Sequence, residues 1–124
     1  MVTQDDLRRI ALALPAAYED MHRKRPAFRV ETRIFAMLGA AGGGAVFTSL
    51  GWDDVAVVKL DCEDQLNLAA GYQGAVEPTE TYGHHGWTYL RLDQLDEAAL
   101  SLVLQLAWAH VAPKRLIRAH FPSA

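Results

Sequence analysis

A single cysteine, Cys62, is all the chain contains in its 124 residues. With no second thiol there is no internal disulfide and no Cys-x-x-Cys metal knuckle. A lone thiol suits a reducing cytoplasm, and a cytoplasmic protein is the expectation. Long apolar runs are missing as well. No stretch comes near the ~20 continuous apolar residues of a membrane span. The opening MVTQDDLRRIALALP carries acids where a secretory signal carries bases. Charge is not in excess either: the formal net charge is −3, which argues against a general polyanion binder but leaves room for a local basic face. Catalytic signatures are absent. There is no His-Glu-x-x-His and no Gly-x-Ser-x-Gly. The glycine-rich GAAGGG at 39–44 lacks the Lys-Ser/Thr of a P-loop and the following helix of a dinucleotide fingerprint. It reads as a hairpin tip. Neither a cofactor nor an enzymatic activity is expected.

What is present is a core. Hydrophobic residues make up 51% of the chain, enough for one folded domain over 1–124. Thr3, followed by Asp5 and Asp6 and by apolar residues at helical spacing, predicts a helix over about 4–14 that Pro15 stops. Phe28 and Val30 alternate with Arg29 and Glu31 as in a half-buried strand, and 34–38 makes a second, with Glu31-Thr32-Arg33 as the turn. Residues 45–51 and 55–60 read as two further strands, with short links that favour antiparallel pairing. Asp61 opens a short helix over about 62–70. Val76 and Thr79 suit an edge strand, because Pro78 cannot donate to a ladder. WTYLRL at 87–92 alternates cleanly.

The last long helix, about 94–111, carries two apolar stripes. Leu95, Ala99, Leu102, Val103 and Leu106 form one. Leu100, Leu104, Ala107 and Val111 form the other, which must meet the first helix or a partner subunit. Packing within the chain is the preferred reading, and a homodimer or protein partner through this helix is the alternative. Pro113 starts a final turn. The fold class is therefore α+β: two layers, a single antiparallel sheet with helices on one face, in the order α, three or four strands, α, one or two strands, α.

Candidate chemistry narrows to two features. The first is GHHGW at 83–87. Adjacent histidines on an extended chain point to opposite faces, so His84 and His85 are not expected to share a metal ion, and no metal is expected. Cys62, near a helix start, reads as structural despite the lowered thiol pKa such a position can give. The second feature is the placing of positive charge. Arg23, Lys24, Arg25, Arg29 and Arg33 are five of the twelve basic residues, and Lys114, Arg115 and Arg118 are three more. If the chain end folds back beside 22–33, one basic patch results, suited to phosphate-rich ligands such as DNA. The competing reading pairs these arginines with Glu19, Asp20 and Glu31. Trp87 and Tyr89 offer stacking faces or serve as sheet anchors.

The runs HRKRPAFRVETRIFAML, VVKLDCEDQLNLAA, YGHHGWTYLRLD and WAHVAPKRL, in this order over about residues 3–118, resemble the YjbR/MmcQ family of small bacterial proteins. The match is most specific at Arg25-Pro26-Ala27-Phe28-Arg29, at His85-Gly86-Trp87 and at Pro113-Lys114-Arg115. The resemblance implies a secretion-chaperone-like or CyaY-like (frataxin-like) α+β fold. It also implies the family's description as predicted DNA-binding proteins with a double-wing motif, with no defining enzymatic activity. This chain departs from the pattern in its longer GAAGGGAVFTSLGW region. Residues 39–52 carry no Lys or Arg, so a contact through that hairpin shifts to the basic segments. The site then comprises Arg23, Lys24, Arg25, Arg29, Arg33, His85, Trp87, Lys114 and Arg115. The rival expectation is a protein-interaction or small-anion-binding scaffold with a pocket lined by Arg25, Trp87 and Lys114.

Overall fold

The capping chemistry at the start of the chain forms as the residues suggest. In the computed structural model, which describes residues 2–22, 25–39, 55–79 and 83–120, helix α1 spans Gln4–Ala13. The Thr3 hydroxyl accepts from the Asp6 N–H, and the Asp6 carboxylate accepts from the Thr3 N–H at 2.9 Å. That reciprocal pair is a capping box with Asp in place of Glu. The Thr3 amide bond is the main reason the Asp6 carboxyl titrates below its ordinary value.

Six strands follow, β1 Ala17–His22, β2 Arg25–Val30, β3 Arg33–Leu38, β4 Val55–Lys59, β5 Val76–Pro78 and β6 Trp87–Arg91. Helix α2, Cys62–Gly71, lies between β4 and β5, and α3, Glu97–Val111, and α4, Lys114–His120, close the chain. The sheet order is β1-β2-β3-β4-β6-β5 with every neighbour antiparallel. The expected α+β fold with one antiparallel sheet is the observed one. The strand expected at 45–51 and most of the glycine-rich tip lie outside the described residues.

One strand was not anticipated. AYEDMH, residues 17–22, has no apolar alternation, yet it forms all of β1. As an edge strand it buries neither face, so its pairing with β2 and not a hydrophobic pattern defines it. Two side-chain pairs hold it in place: Arg8 Nε donates to Glu19 Oε1 and Arg29 Nε to Asp20 Oδ1, each at 2.9 Å. The β2–β3 turn is also tighter than expected. Val30 pairs with Arg33, so only Glu31 and Thr32 turn the chain, and Glu31 takes a φ of 56°. Arg33 is the first residue of β3. Phe28 pairs with Ala36 and Arg29 with Ile34, leaving Phe35 as an extra residue on β3. This bulge lets Phe35 and Ala36 both enter the core under the helices.

That core draws on all four helices: Leu7 and Ala11 of α1, Leu68 of α2, most of the buried side of α3, and the half-buried Leu116 and Ile117 of α4. The helices therefore share one face of the sheet. Against them the sheet presents Phe28, Val30, Ala36, Leu38, Ala56, Val58 and Leu90. On the opposite face a second, smaller cluster of Val55, Val57 and Tyr89 is also buried, with Trp87 against it.

Helix α3 is capped by Asp96, whose carboxylate accepts from the Ala99 N–H at 2.8 Å. Leu100, Leu104, Ala107 and Val111 are buried within the chain, so the second stripe meets the protein's own core. Leu102, expected in the first stripe, is instead 44% exposed. The helix is rolled so that Trp108 can go inside, where its indole N–H donates to the Pro15 carbonyl at 2.9 Å. This orientation predicts unequal costs for two leucines two positions apart. Leu104→Ala should lower the unfolding free energy by about 2–5 kcal/mol, and Leu102→Ala by no more than about 0.5 kcal/mol, as read from urea unfolding of each variant.

Candidate functional site

The GHHGW segment is a braced turn. Gly83–His85 form one turn of 3₁₀ helix, and Gly86 follows with a φ of 93°, a conformation open to glycine. A Cβ on Gly86 would lie 1.9 Å from the Leu60 carbonyl oxygen. The approach is this close because the Leu60 N–H donates to the Gly86 carbonyl at 2.8 Å. Beneath the turn, buried Gln65 of α2 donates through Nε2 to the Gly83 carbonyl at 3.1 Å and to the Thr88 hydroxyl at 2.9 Å. Thr88 in turn donates to the Gly86 carbonyl at 3.0 Å. Nothing in the sequence signals this network, since Gln65 reads as an ordinary helix residue.

The two histidines do not point apart. On the 3₁₀ turn, unlike on an extended chain, their rings lie side by side, 4.0 Å between centroids, and both residues are exposed. Among the described residues no group of three or more His, Cys, Asp or Glu stands where it could hold a metal ion. The Cys62 thiol donates to the His84 carbonyl at 3.7 Å. Immediately after the turn, Trp87 is half-buried, with the Lys59 ammonium 5.1 Å from its ring centroid. Lys59 did not enter the sequence-derived set, because its place opposite Trp87 follows from the β4–β6 register.

The basic residues divide by what they already bind. Arg29 donates from Nε to both Asp20 oxygens at 2.9 Å and from Nη1 to the Thr32 carbonyl at 2.8 Å. Arg25 donates to the Leu38 and Gly39 carbonyls at 3.1 and 2.7 Å. Burial lowers its guanidinium pKa, against a smaller opposing influence from Tyr89. Arg115 is ion-paired with Glu31. Arg33, Lys114 and Arg118 are exposed and make no ion pair among the described residues. Arg23 and Lys24 lie outside the described residues.

The register also separates the set in space. Arg33, Lys59, His85 and Trp87 stand at the end of the sheet where β3 and β6 begin and β4 ends. Arg25 stands at the other end, beside His22 and close to Gly39. Trp87 shares a face with Tyr89 and Val57, and α4 packs on the opposite, helical face. A single pocket lined by Arg25, Trp87 and Lys114 is therefore not formed, and His85 and Arg25 do not converge. What does converge is α4 with the β2–β3 turn. The Arg115–Glu31 ion pair joins the helix that carries Lys114 and Arg118 to the turn that leads into Arg33.

A family model described as YjbR matches residues 12–110. The chain belongs to the YjbR family. Among solved structures, this YjbR domain is similar to the crystal structure of Deinococcus radiodurans protein DR2400, a DUF419 domain. The TM-score is 0.68 at 20% identity, over 90% of this chain and 79% of that one. At that identity the likeness shows the shared fold alone. No curated protein matches. The family match spans the braced turn, whose glycine allows a direct check. Gly86→Ala forces both a disfavoured φ and a clash with backbone. It should destabilise the YjbR domain by about 3 kcal/mol, seen as a lower urea midpoint with unchanged slope.

Proposed function

We propose that this YjbR-family chain is a non-enzymatic module that binds the phosphate backbone of nucleic acid, as DNA, through the end of the molecule formed by α4 and the β2–β3 turn. The observation that carries this reading is the Arg115–Glu31 ion pair. It joins α4 to the β2–β3 turn, and the neighbouring Arg33, Lys114 and Arg118 are exposed and make no ion pair among the described residues. Arg25 and Arg29 are assigned a structural part, because their guanidinium groups are occupied by carbonyls and by Asp20. Arg115 positions the helix. The family-level description as DNA-binding, drawn from the sequence resemblance, agrees with this assignment but places no residue.

Backbone contacts carry no base information, so the binding is expected to be independent of sequence and steep in salt. Fluorescence anisotropy of short labelled oligonucleotides checks it. Dissociation constants on the order of tens of micromolar or tighter are expected at low salt. Affinity should fall with salt at a log–log slope of about −0.9 per phosphate neutralised on duplex, or about −0.7 on single strands. The combined variant Arg33→Glu, Lys114→Glu, Arg118→Glu should unfold like the parent and lose binding. Absence of binding by the parent in low salt would refute the reading.

A further inference from the structure

The proposed phosphate-binding end continues round the sheet onto its other face, and this bears on the form of nucleic acid. On the helical side stand Arg33, which pairs directly with core-facing Val30, and the exposed Lys114 and Arg118 of α4. On the opposite side, at the same end, stand Lys59 and Trp87. They pair across β4 and β6 and alternate with Val57 and Tyr89 of the second cluster. Lys59 makes no ion pair among the described residues, and its ammonium lies over the Trp87 ring. His84 and His85, both exposed, flank this corner.

Resting on the phosphate-binding reading above, we infer that the ligand is single-stranded nucleic acid, which bends round this end of the sheet with an unpaired base against Trp87 and a phosphate at Lys59. The cations lie on two faces of one sheet. A duplex is stiff over about 150 base pairs and presents its phosphates along a rod, so it meets one face or the other. A single strand can turn at each nucleotide and reach both. The aromatic part of the corner points the same way. Bases stack on a protein ring only when they are unpaired and unstacked from their neighbours, and stacking of this kind tolerates any sequence. The corner is also preorganised. The Gln65–Thr88–Gly86 network and the Leu60–Gly86 contact fix where β6 starts, so little ordering is left for the ligand to impose.

The test compares a thymidine homopolymer with a duplex of equal length at one salt concentration. The single strand should bind at least ~10-fold more tightly than the duplex, and its binding should quench tryptophan emission. Trp87→Ala should weaken single-strand binding by about 5–100-fold while duplex binding stays as it was. Lys59→Gln, a change at a half-buried residue outside both core clusters, should reduce the single-strand salt slope by about 0.7. Equal affinity for both forms, or an unchanged single-strand affinity in both folded variants, would overturn the inference and leave phosphate binding standing. Binding of neither form would overturn both.

Discussion

The backbone contact between Leu60 and Gly86 is the constraint on which the second half of the sheet depends. At this point β4 leaves the sheet to enter α2 and β6 arrives from the histidine turn. The two chains pass so closely that no Cβ fits between them. The contact aligns Lys59 with Trp87, Val57 with Tyr89 and Val55 with Arg91. A slip of one residue would carry Leu90 and Thr88 to the wrong face and bring Tyr89 under the helices. Glycine at 86 thus decides which side chains form the helical core and which form the corner on the other side.

The same two-faced burial explains why the central strands read as they do. Val55 to Val58 are all buried, and β3 runs Phe35-Ala36-Met37-Leu38 with every residue buried. Strands covered on both faces have no reason to alternate. The outer strands differ. β1 is exposed along its length, and β5 is short and ends in Pro78, which cannot extend a ladder. Helix α3 lies across β3 and β4 and carries apolar residues round most of its circumference. Its orientation is set by Trp108, whose indole needs both a buried site and the Pro15 carbonyl.

Much of this was legible from local chemistry. The caps at Thr3 and Asp61, the order of the anticipated elements and the edge position of β5 each follow from a few neighbouring residues, whereas the cap at Asp96 lies inside the span expected to be helical. The roll of α3 was not, because two apolar stripes on one helix do not say which leucine points outward. β1 was not, because an edge strand held by Arg8–Glu19 and Arg29–Asp20 leaves no hydrophobic period to read. The candidate surface was half legible. Clusters of base are visible in sequence, but their partners are long-range: Arg115 with Glu31 and Arg25 with Leu38 and Gly39 depend on topology. Lys59 became a candidate once the register set it against Trp87.

The same partners bear on the anion-binding surface proposed for a chain whose net charge is −3. Exposed ion pairs contribute at most about 1 kcal/mol each, so Arg8–Glu19 and Arg115–Glu31 matter less for stability than for arrangement. They neutralise the cations that lie among acids and, in the case of Arg115, hold α4 where its other charges are displayed. Charges farther away have little say, since the Debye length at physiological ionic strength is about 8 Å and the first-turn acids of α1 and α2 are exposed to solvent or nearly so. In the proposed binding mode a phosphate at the β2–β3 turn therefore meets Arg33, Lys114 and Arg118, with Arg115 paired to Glu31, and not the net charge of the chain as a whole. At the Lys59–Trp87 corner the position differs: Asp61 follows two residues on, so the ligand proposed for this corner meets one ammonium together with the aromatic ring 5.1 Å from it.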